Sequence, residues 1–186
     1  MIYIIRHGRT KLNKENVLQG RTDCPMNEEG IAQAKKAAVL LKEIDFRYVY
    51  SSPLIRAIQT AEIVAPGKEI KIDERLIEID NGPYEGMSLV DPPAELLTFF
   101  ADFIHQPAPP GMESLECIVS RVASFLEEIR KLDGNILIST HAIAMKGILE
   151  YLTPDSCGSY WEKFIDNCAV FAAENNDGEI GIPFAL

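Results

Sequence analysis

A three-layer α/β/α sandwich with a mostly parallel central sheet is the fold class this 186-residue chain predicts, on three observations. Short continuous apolar runs, Met1-Ile2-Tyr3-Ile4-Ile5 and Asn135-Ile136-Leu137-Ile138, read as strands buried on both faces. Between such runs lie segments whose apolar residues recur at helical spacing, and strand-helix alternation gives a parallel sheet. A composition of 47% hydrophobic and 25% charged residues argues against disorder. One domain over 1–186 is expected, with a small lid insertion at about 80–112.

Taken in order, residues 2–6 form the first strand. Residues 28–43 read as a helix, with Ile31, Ala34, Ala38 and Leu41 at helical spacing, Asn27 as cap, and Glu28 and Glu29 at the positive end of the dipole. Residues 46–50, Phe-Arg-Tyr-Val-Tyr, give a second strand. The next helix runs to about Val64, with Ser52 expected as its cap, Pro53 in its first position, and Pro66-Gly67 ending it. Residues 69–72 suit a short strand. Residues 80–112 are broken by Gly82-Pro83, Asp91-Pro92-Pro93 and Pro107 to Gly111, around a short apolar helix at about 94–104. An insertion of that length is usually functional, often a lid. A helix over 114–131 carries Leu115, Ile118, Val122, Phe125 and Ile129 along one stripe. A strand over 135–139, a helix over 142–152 and a last strand near 168–173 complete the pattern.

Whole-chain properties exclude several classes. The net charge of −10, from 18 basic and 28 acidic residues, argues against a nucleic-acid or anionic membrane surface. No apolar run approaches the roughly 20 residues of a transmembrane helix. The N-terminus reaches Arg6 after a short apolar run with no basic leader, so no signal peptide is expected. Cys24, Cys117, Cys157 and Cys168 are unclustered and form no C-x-x-C pair, which fits a reducing cytoplasm and thiols acting as small buried hydrophobes. His7, His105 and His141 are scattered and lie in no metal-binding motif, so no metal is expected.

The chemistry concentrates where predicted strands end, because ligands of open α/β sheets bind beyond the carboxyl ends of the strands. His7 closes the first strand. A neutral imidazole is a nucleophile near pH 7, its second nitrogen can be locked by a backbone carbonyl, and Gly8 leaves room beside it. A core histidine satisfied by backbone is the alternative. Arg6 favours the first reading, since a buried arginine needs an anion. Arg56, in the first turn of its helix, can grip a phosphate with two prongs or remain a solvated helix residue. His141 opens a helix after a buried strand, where the amides of Ala142 and its successors suit an anion and the ring can donate to an equatorial oxygen. Glu78 lies in Leu76-Ile77-Glu78-Ile79, an apolar setting of the kind that makes a carboxyl a proton donor; otherwise it is a surface glutamate on an edge strand. Asn13 and Gln19 are polar loop residues near His7.

These residues assemble a resemblance. Arg6-His7-Gly8-x-Thr10-x-x-Asn13, then Ser51-Ser52-Pro53-Leu54-x-Arg56-Ala57-x-Gln59-Thr60-Ala61-Glu62, then Leu76-x-Glu78-x-x-x-Gly82-x-Tyr84-Glu85-Gly86, and finally Ser139-Thr140-His141 occur in order. Asp23-x-Pro25-Met26-x-x-x-Gly30 and Pro110-Gly111-x-Glu113-Ser114 also fit. The chain resembles the histidine phosphatase superfamily, in its phosphoglycerate mutase-like branch, over most of residues 1–150. The resemblance implies a phosphoric monoester hydrolase of the histidine acid phosphatase type. It implies that His7 carries the phosphoryl group and that Glu78 donates the proton. Arg6, Arg56 and His141 would form the phosphate pocket, with Asn13 and Gln19 as further contacts. Ala142 replaces a frequent glycine beside that pocket, and Tyr84 a frequent tryptophan.

No cofactor is implied, and the expected partner is a small-molecule phosphate monoester, α-ribazole phosphate being one candidate type. From Leu76 through Ser120 there are eight acids and no lysine or arginine, a formal charge of −8. That favours esters with a neutral, apolar or cationic remainder over the bisphosphorylated intermediate of a mutase. The competing readings are mutase-type phosphoryl transfer and a phosphate-binding regulatory module without turnover. A homo-oligomer remains open.

Overall fold

The computed structural model describes residues 1–186. In chain order it contains β1 (Ile2–Arg6), α1 (Lys11–Lys14), α2 (Glu28–Leu40), β2 (Phe46–Ser51), α3 (Ile55–Val64), β3 (Ile70–Ile72), α4 (Ala94–Ala101), α5 (Leu115–Ile129), β4 (Asn135–Thr140), α6 (Ala142–Leu152), α7 (Ser159–Glu162), β5 (Val170–Ala173), β6 (Asn175–Asn176), β7 (Glu179–Ile180) and β8 (Phe184–Ala185). The main sheet has the order β3-β2-β4-β1-β5-β8. Its first four strands are parallel, β5 is antiparallel to β1, and β8 is antiparallel to β5.

Alternation along the strands divides the apolar residues between two faces. Ile2, Ile4, Ile136 and Ile138 pack with Val122, Phe125 and Ile129 of α5 and with Met145, Ile148 and Leu149 of α6. Tyr3, Ile5, Val49 and Leu137 pack on the other face with Ala37 of α2 and with Ala61 and Val64 of α3. The mostly parallel sheet between helices is the fold class the apolar runs predict. A third cluster, with Ile79, Tyr84, Leu96, Phe99, Met112 and Ile118, fastens residues 80–112 to α5. Burial of side chains this large stabilises by about 1.5–3 kcal/mol each. No helix is long and apolar enough to cross a membrane.

Several boundaries depart from expectation. Neither Ser52 nor Pro53 starts α3: the helix begins at Ile55 after Leu54, and Asp23 Oδ1 accepts the Ile55 amide at 2.7 Å. Ser52 Oγ instead accepts the Leu54 amide at 3.3 Å, short of the helix, and also meets a side chain from another strand end. α2 stops at Leu40, before the exposed Lys42 and Glu43. The strand expected near 168–173, β5, begins at Val170, because Cys168 adopts a left-handed φ of 59° and its amide turns to the Arg6 carbonyl at 3.1 Å, and three further strands follow it. β6, β7 and β8 are strands of two residues, too short to leave a periodic signal. Three of the cysteines depart from the expectation of small buried hydrophobes, Cys117 and Cys157 being exposed and Cys24 half-buried; Cys168, also half-buried, packs against the apolar cluster on the α2 and α3 face.

Candidate active site

Parallel register brings three strand ends to one edge. Arg6 pairs with Thr140 and Ser51 with Ser139, so the next residues, His7, His141 and Ser52, emerge together. The His7 amide donates to the Thr140 carbonyl at 2.9 Å, and the Ser52 amide to that of Ser139 at 3.0 Å. The His7 and His141 rings lie 5.1 Å apart. Both are almost fully buried, as are Arg56 and Glu78.

His7 Nδ1 lies 2.8 Å from the Gly8 carbonyl. A carbonyl only accepts, so Nδ1 carries the hydrogen and Nε2 keeps its lone pair. Burial, the charge of Arg56 and the charge of Arg6 push the His7 imidazolium well below its ordinary 6.5. His141 is held low by burial, by Arg56, by His7 and by more distant Arg6 and Arg121. Both rings are therefore neutral at pH 7. Space beside Gly8 is not open, as the sequence suggested. A Cβ there would sit 2.4 Å from the Gly30 carbonyl oxygen, so the glycine admits the backbone of α2.

Arg56 is the largest fully buried side chain. Its Nη2 donates to the Gly20 carbonyl at 2.6 Å, Nη1 to the Thr22 carbonyl at 2.8 Å and Nε to His141 Nδ1 at 3.2 Å. Each terminal nitrogen bears a second hydrogen, so two donors remain for an anion. Burial, resisted by Glu78 and Asp23, lowers its pKa to about 10. His141 accepts at Nδ1, which places its hydrogen on Nε2, 2.7 Å from Ser52 Oγ. That differs from a ring simply open toward an oxyanion, and a ligand must compete with the Ser52 hydroxyl for this hydrogen. Arg6 donates through Nη1 to the Ile165 carbonyl, and its Nε is buried without a partner.

Glu78 follows the 3₁₀ turn Glu74–Leu76 and is no edge-strand surface residue. Oε1 accepts the amides of Ile79, Ile143 and Ala144 at 3.0–3.1 Å, and Oε2 that of Ile143 at 3.2 Å. The α6 amides after Ala142, expected to face an anion, are thus engaged by a carboxylate of the chain itself. Ala142 is half-buried at the mouth of this cradle. Asn13 and Gln19 meet at Thr10: Asn13 Oδ1 accepts the Thr10 amide at 3.2 Å, and the Thr10 hydroxyl donates to Gln19 Oε1 at 2.7 Å.

Sequence reasoning passed over Ser52 as a partner of His141, although its place one residue after a strand end was a usable signal. It also passed over Asn167, whose Nδ2 donates to the His7 carbonyl at 3.0 Å and approaches Asn13 Oδ1 at 3.4 Å. Lys146, one turn into α6, donates to the Trp161 carbonyl at 2.6 Å and lies 5.1 Å from the Phe103 ring centre. Its burial brings its pKa down to about 8. Loop residues brought in from more than 150 positions away, such as Asn167, leave no local pattern.

Two neutral imidazoles, two guanidiniums and a carboxylate thus share one buried strand-end site. The sequence profile of the histidine phosphatase superfamily (branch 1) matches residues 2–182. The chain belongs to this superfamily. Phosphoserine phosphatase 1 of Hydrogenobacter thermophilus is 30% identical over 175 residues, covering 90% of this chain and 83% of that protein. An Escherichia coli O1:K1 protein named probable phosphoglycerate mutase GpmB is 32% identical over 151 residues, covering 77% and 70% respectively. A crystal structure of an Entamoeba histolytica phosphoserine phosphatase mutant in complex with phosphoserine superimposes with a TM-score of 0.82 at 25% identity, covering 99% of this chain and 93% of that one. Histidine phosphatase membership accords with the ordered blocks around His7, Arg56, Glu78 and His141.

Proposed function

We propose that this protein hydrolyses a small-molecule phosphate monoester through a phosphohistidine on His7. The observation that carries the reading is the His7 ring, locked at Nδ1 by the Gly8 carbonyl, neutral, and 5.1 Å from His141. Nε2 attacks phosphorus in line; the N–P bond forms as the ester P–O bond breaks. Arg56, through its two remaining hydrogens, and Arg6, through its unpartnered Nε, bind the equatorial oxygens, where phosphoryl transfer needs positioning and charge stabilisation. His141 supplies a further donor through its Nε2 hydrogen when a phosphate oxygen takes the place of Ser52 Oγ as its acceptor. Asn13 and Gln19, which meet at Thr10 just after His7, and the Ala142 backbone would be further contacts to the phosphate.

Glu78 gives its proton to the departing alkoxide and takes one from the water that then cleaves the N–P bond. Its Oε2, with a single amide contact at 3.2 Å, is the oxygen available for this exchange. The relatives' names make phosphoserine the first ester to assay. Phosphoglycerate mutase-type transfer is the second reading, favoured by the name of the Escherichia coli relative.

The stretch from Leu76 through Ser120 discriminates between substrates less than its formal charge of −8 implies. Arg21 lies 3.1 Å from Asp80, Arg121 lies 2.8 Å from Glu113, and Glu78 and Glu85 accept backbone amides. Much of that acidity is compensated inside the fold.

His7→Ala tests the reading. Turnover of phosphoserine and of an aryl phosphate should vanish, together with the acid-labile, alkali-stable label that wild-type protein takes from a radiolabelled ester. Wild-type rates in the variant would remove His7 from the reaction.

A further inference from the structure

Glu85 touches none of the groups given a chemical role above, yet it is wired to them. Its carboxylate accepts the Gly20 amide at 3.0 Å, the Thr22 amide at 2.9 Å and Asn81 Nδ2 at 2.8 Å. The same two loop residues present their carbonyls to Arg56, Gly20 at 2.6 Å and Thr22 at 2.8 Å. Arg56 in turn holds His141 at 3.2 Å. One anion therefore holds, by their amides, the two residues whose carbonyls aim the guanidinium.

The surroundings give this loop little freedom. A Cβ at Gly20 would lie 2.3 Å from the Ile79 carbonyl oxygen and 2.8 Å from Glu85 Oε2, so only glycine lets the loop close onto the carboxylate. Backbone bonds tie the same stretch to the chain around Glu85: Gly86 to Leu18 at 3.0 Å, Leu18 to Met87 at 2.8 Å and Leu89 to Asn16 at 2.7 Å. The start of the inserted segment and the loop at 16–22 are thus fastened to each other.

We propose that Glu85 is a positioning residue for phosphate binding, setting the Arg56 guanidinium through the backbone of Gly20 and Thr22. This rests on the reading of the site as a phosphate pocket. The carboxylate anchors the amides of Gly20 and Thr22, each residue's backbone carries that order through its Cα to its own carbonyl, and the carbonyls leave Arg56 two hydrogens pointing in a fixed direction. A guanidinium free to rotate would bind phosphate less tightly even with every site residue present.

The test uses the full chain. Orthophosphate affinity is measured by calorimetry and aryl phosphate turnover by kcat and KM, for wild type, Glu85→Gln, Arg56→Lys and the double variant. Glu85→Gln keeps the volume but removes the charge and one acceptor. Orthophosphate binding should weaken about tenfold, with kcat/KM falling in parallel and the melting temperature nearly kept. In the Arg56→Lys background the same change should cost less than about twofold, because its target is gone. Wild-type affinity in Glu85→Gln, or the full loss in the Arg56→Lys background, overturns the proposal. If Glu85→Gln does not fold, Glu85→Asp, which keeps the charge on a shorter arm, is judged by the same two criteria. Wild type that binds orthophosphate but turns over no ester sinks the catalytic reading alone; wild type that binds no orthophosphate sinks both.

Discussion

Glu78 faces two demands, holding the α6 amides of Ile143 and Ala144 while offering a proton to a leaving group. Glu78→Gln should preserve the first in part, through its carbonyl oxygen, and abolish the second. A poor alkoxide leaving group needs the proton and a nitrophenolate does not, so the variant should lose roughly 100-fold or more on phosphoserine and far less on p-nitrophenyl phosphate. Steady-state kinetics on both esters decides; equal losses would leave Glu78 with a structural task only. Most residues at this scale were readable from the sequence because each sits one step beyond a strand or in a helix first turn: His7, His141 and Arg56 carry that signature. The hydrogen bonds they make were not readable. That His141 is sandwiched between Arg56 Nε and Ser52 Oγ depends on side-chain directions across the strand-end gap. Likewise Asn167 reaches His7 only because Cys168 turns the chain at a positive φ of 59°.

The strand ends keep their positions through the packing of α2 against the chain just after β1. Gly8 and Gly30 meet there backbone to backbone, a Cβ on Gly8 falling 2.4 Å from the Gly30 carbonyl oxygen and one on Gly30 falling 2.2 Å from that of Arg9. Gly8→Ala should therefore cost about 1–3 kcal/mol, as overpacking of a tight contact does, and should displace His7 as well. Urea denaturation and kcat/KM measured on the same preparation check this, and unchanged values in both would show that α2 can yield. Asn27 at the start of α2 gives a milder contrast: its Oδ1 accepts the Gly30 amide at 2.8 Å, and Asn27→Ala should cost about 1 kcal/mol of stability without touching His7 chemistry. Asn27 as a cap was legible because the cap and the amide that donates to it are three residues apart. Ser52 looked like a cap by the same rule and is not one, since Asp23 caps the Ile55 amide from across the fold. Propensity cannot register such a competitor.

Charge at the scale of the molecule was legible as a sum and not as a distribution. The net −10 is fixed by composition, whereas the pairing of Glu113 with both Arg21 and Arg121 emerges only when the inserted segment folds onto α5. Burial of the two imidazoles has a global consequence with a definite sign. In the native protein His7 and His141 titrate well below 6.5, burial being the largest cause and the arginines adding to it. In the unfolded chain they return to about 6.5. Above that pH both states hold neutral rings and the histidines contribute no pH dependence. Below it the unfolded chain takes up protons that the native fold refuses, so stability falls as pH falls. The carboxylates act lower. Asp73 is held below its ordinary value because contacts with Arg75 outweigh the upward push of burial, and Glu85 because contacts with Thr22, Asn81 and Gly20 do the same. Their contribution is present above the unfolded carboxylate range and is lost as pH drops through it. Two separate windows follow, and the upper one belongs to the histidines. The urea midpoint should be flat from pH 8 to about 7 and fall between about 6.5 and 5, with His141→Gln showing a shallower fall over the same interval. Denaturation curves at half-unit pH steps distinguish the cases. A wild-type midpoint unchanged down to pH 5, or a His141→Gln profile parallel to wild type, would mean that protons reach these rings in the folded state and that the site is not sealed as its burial implies.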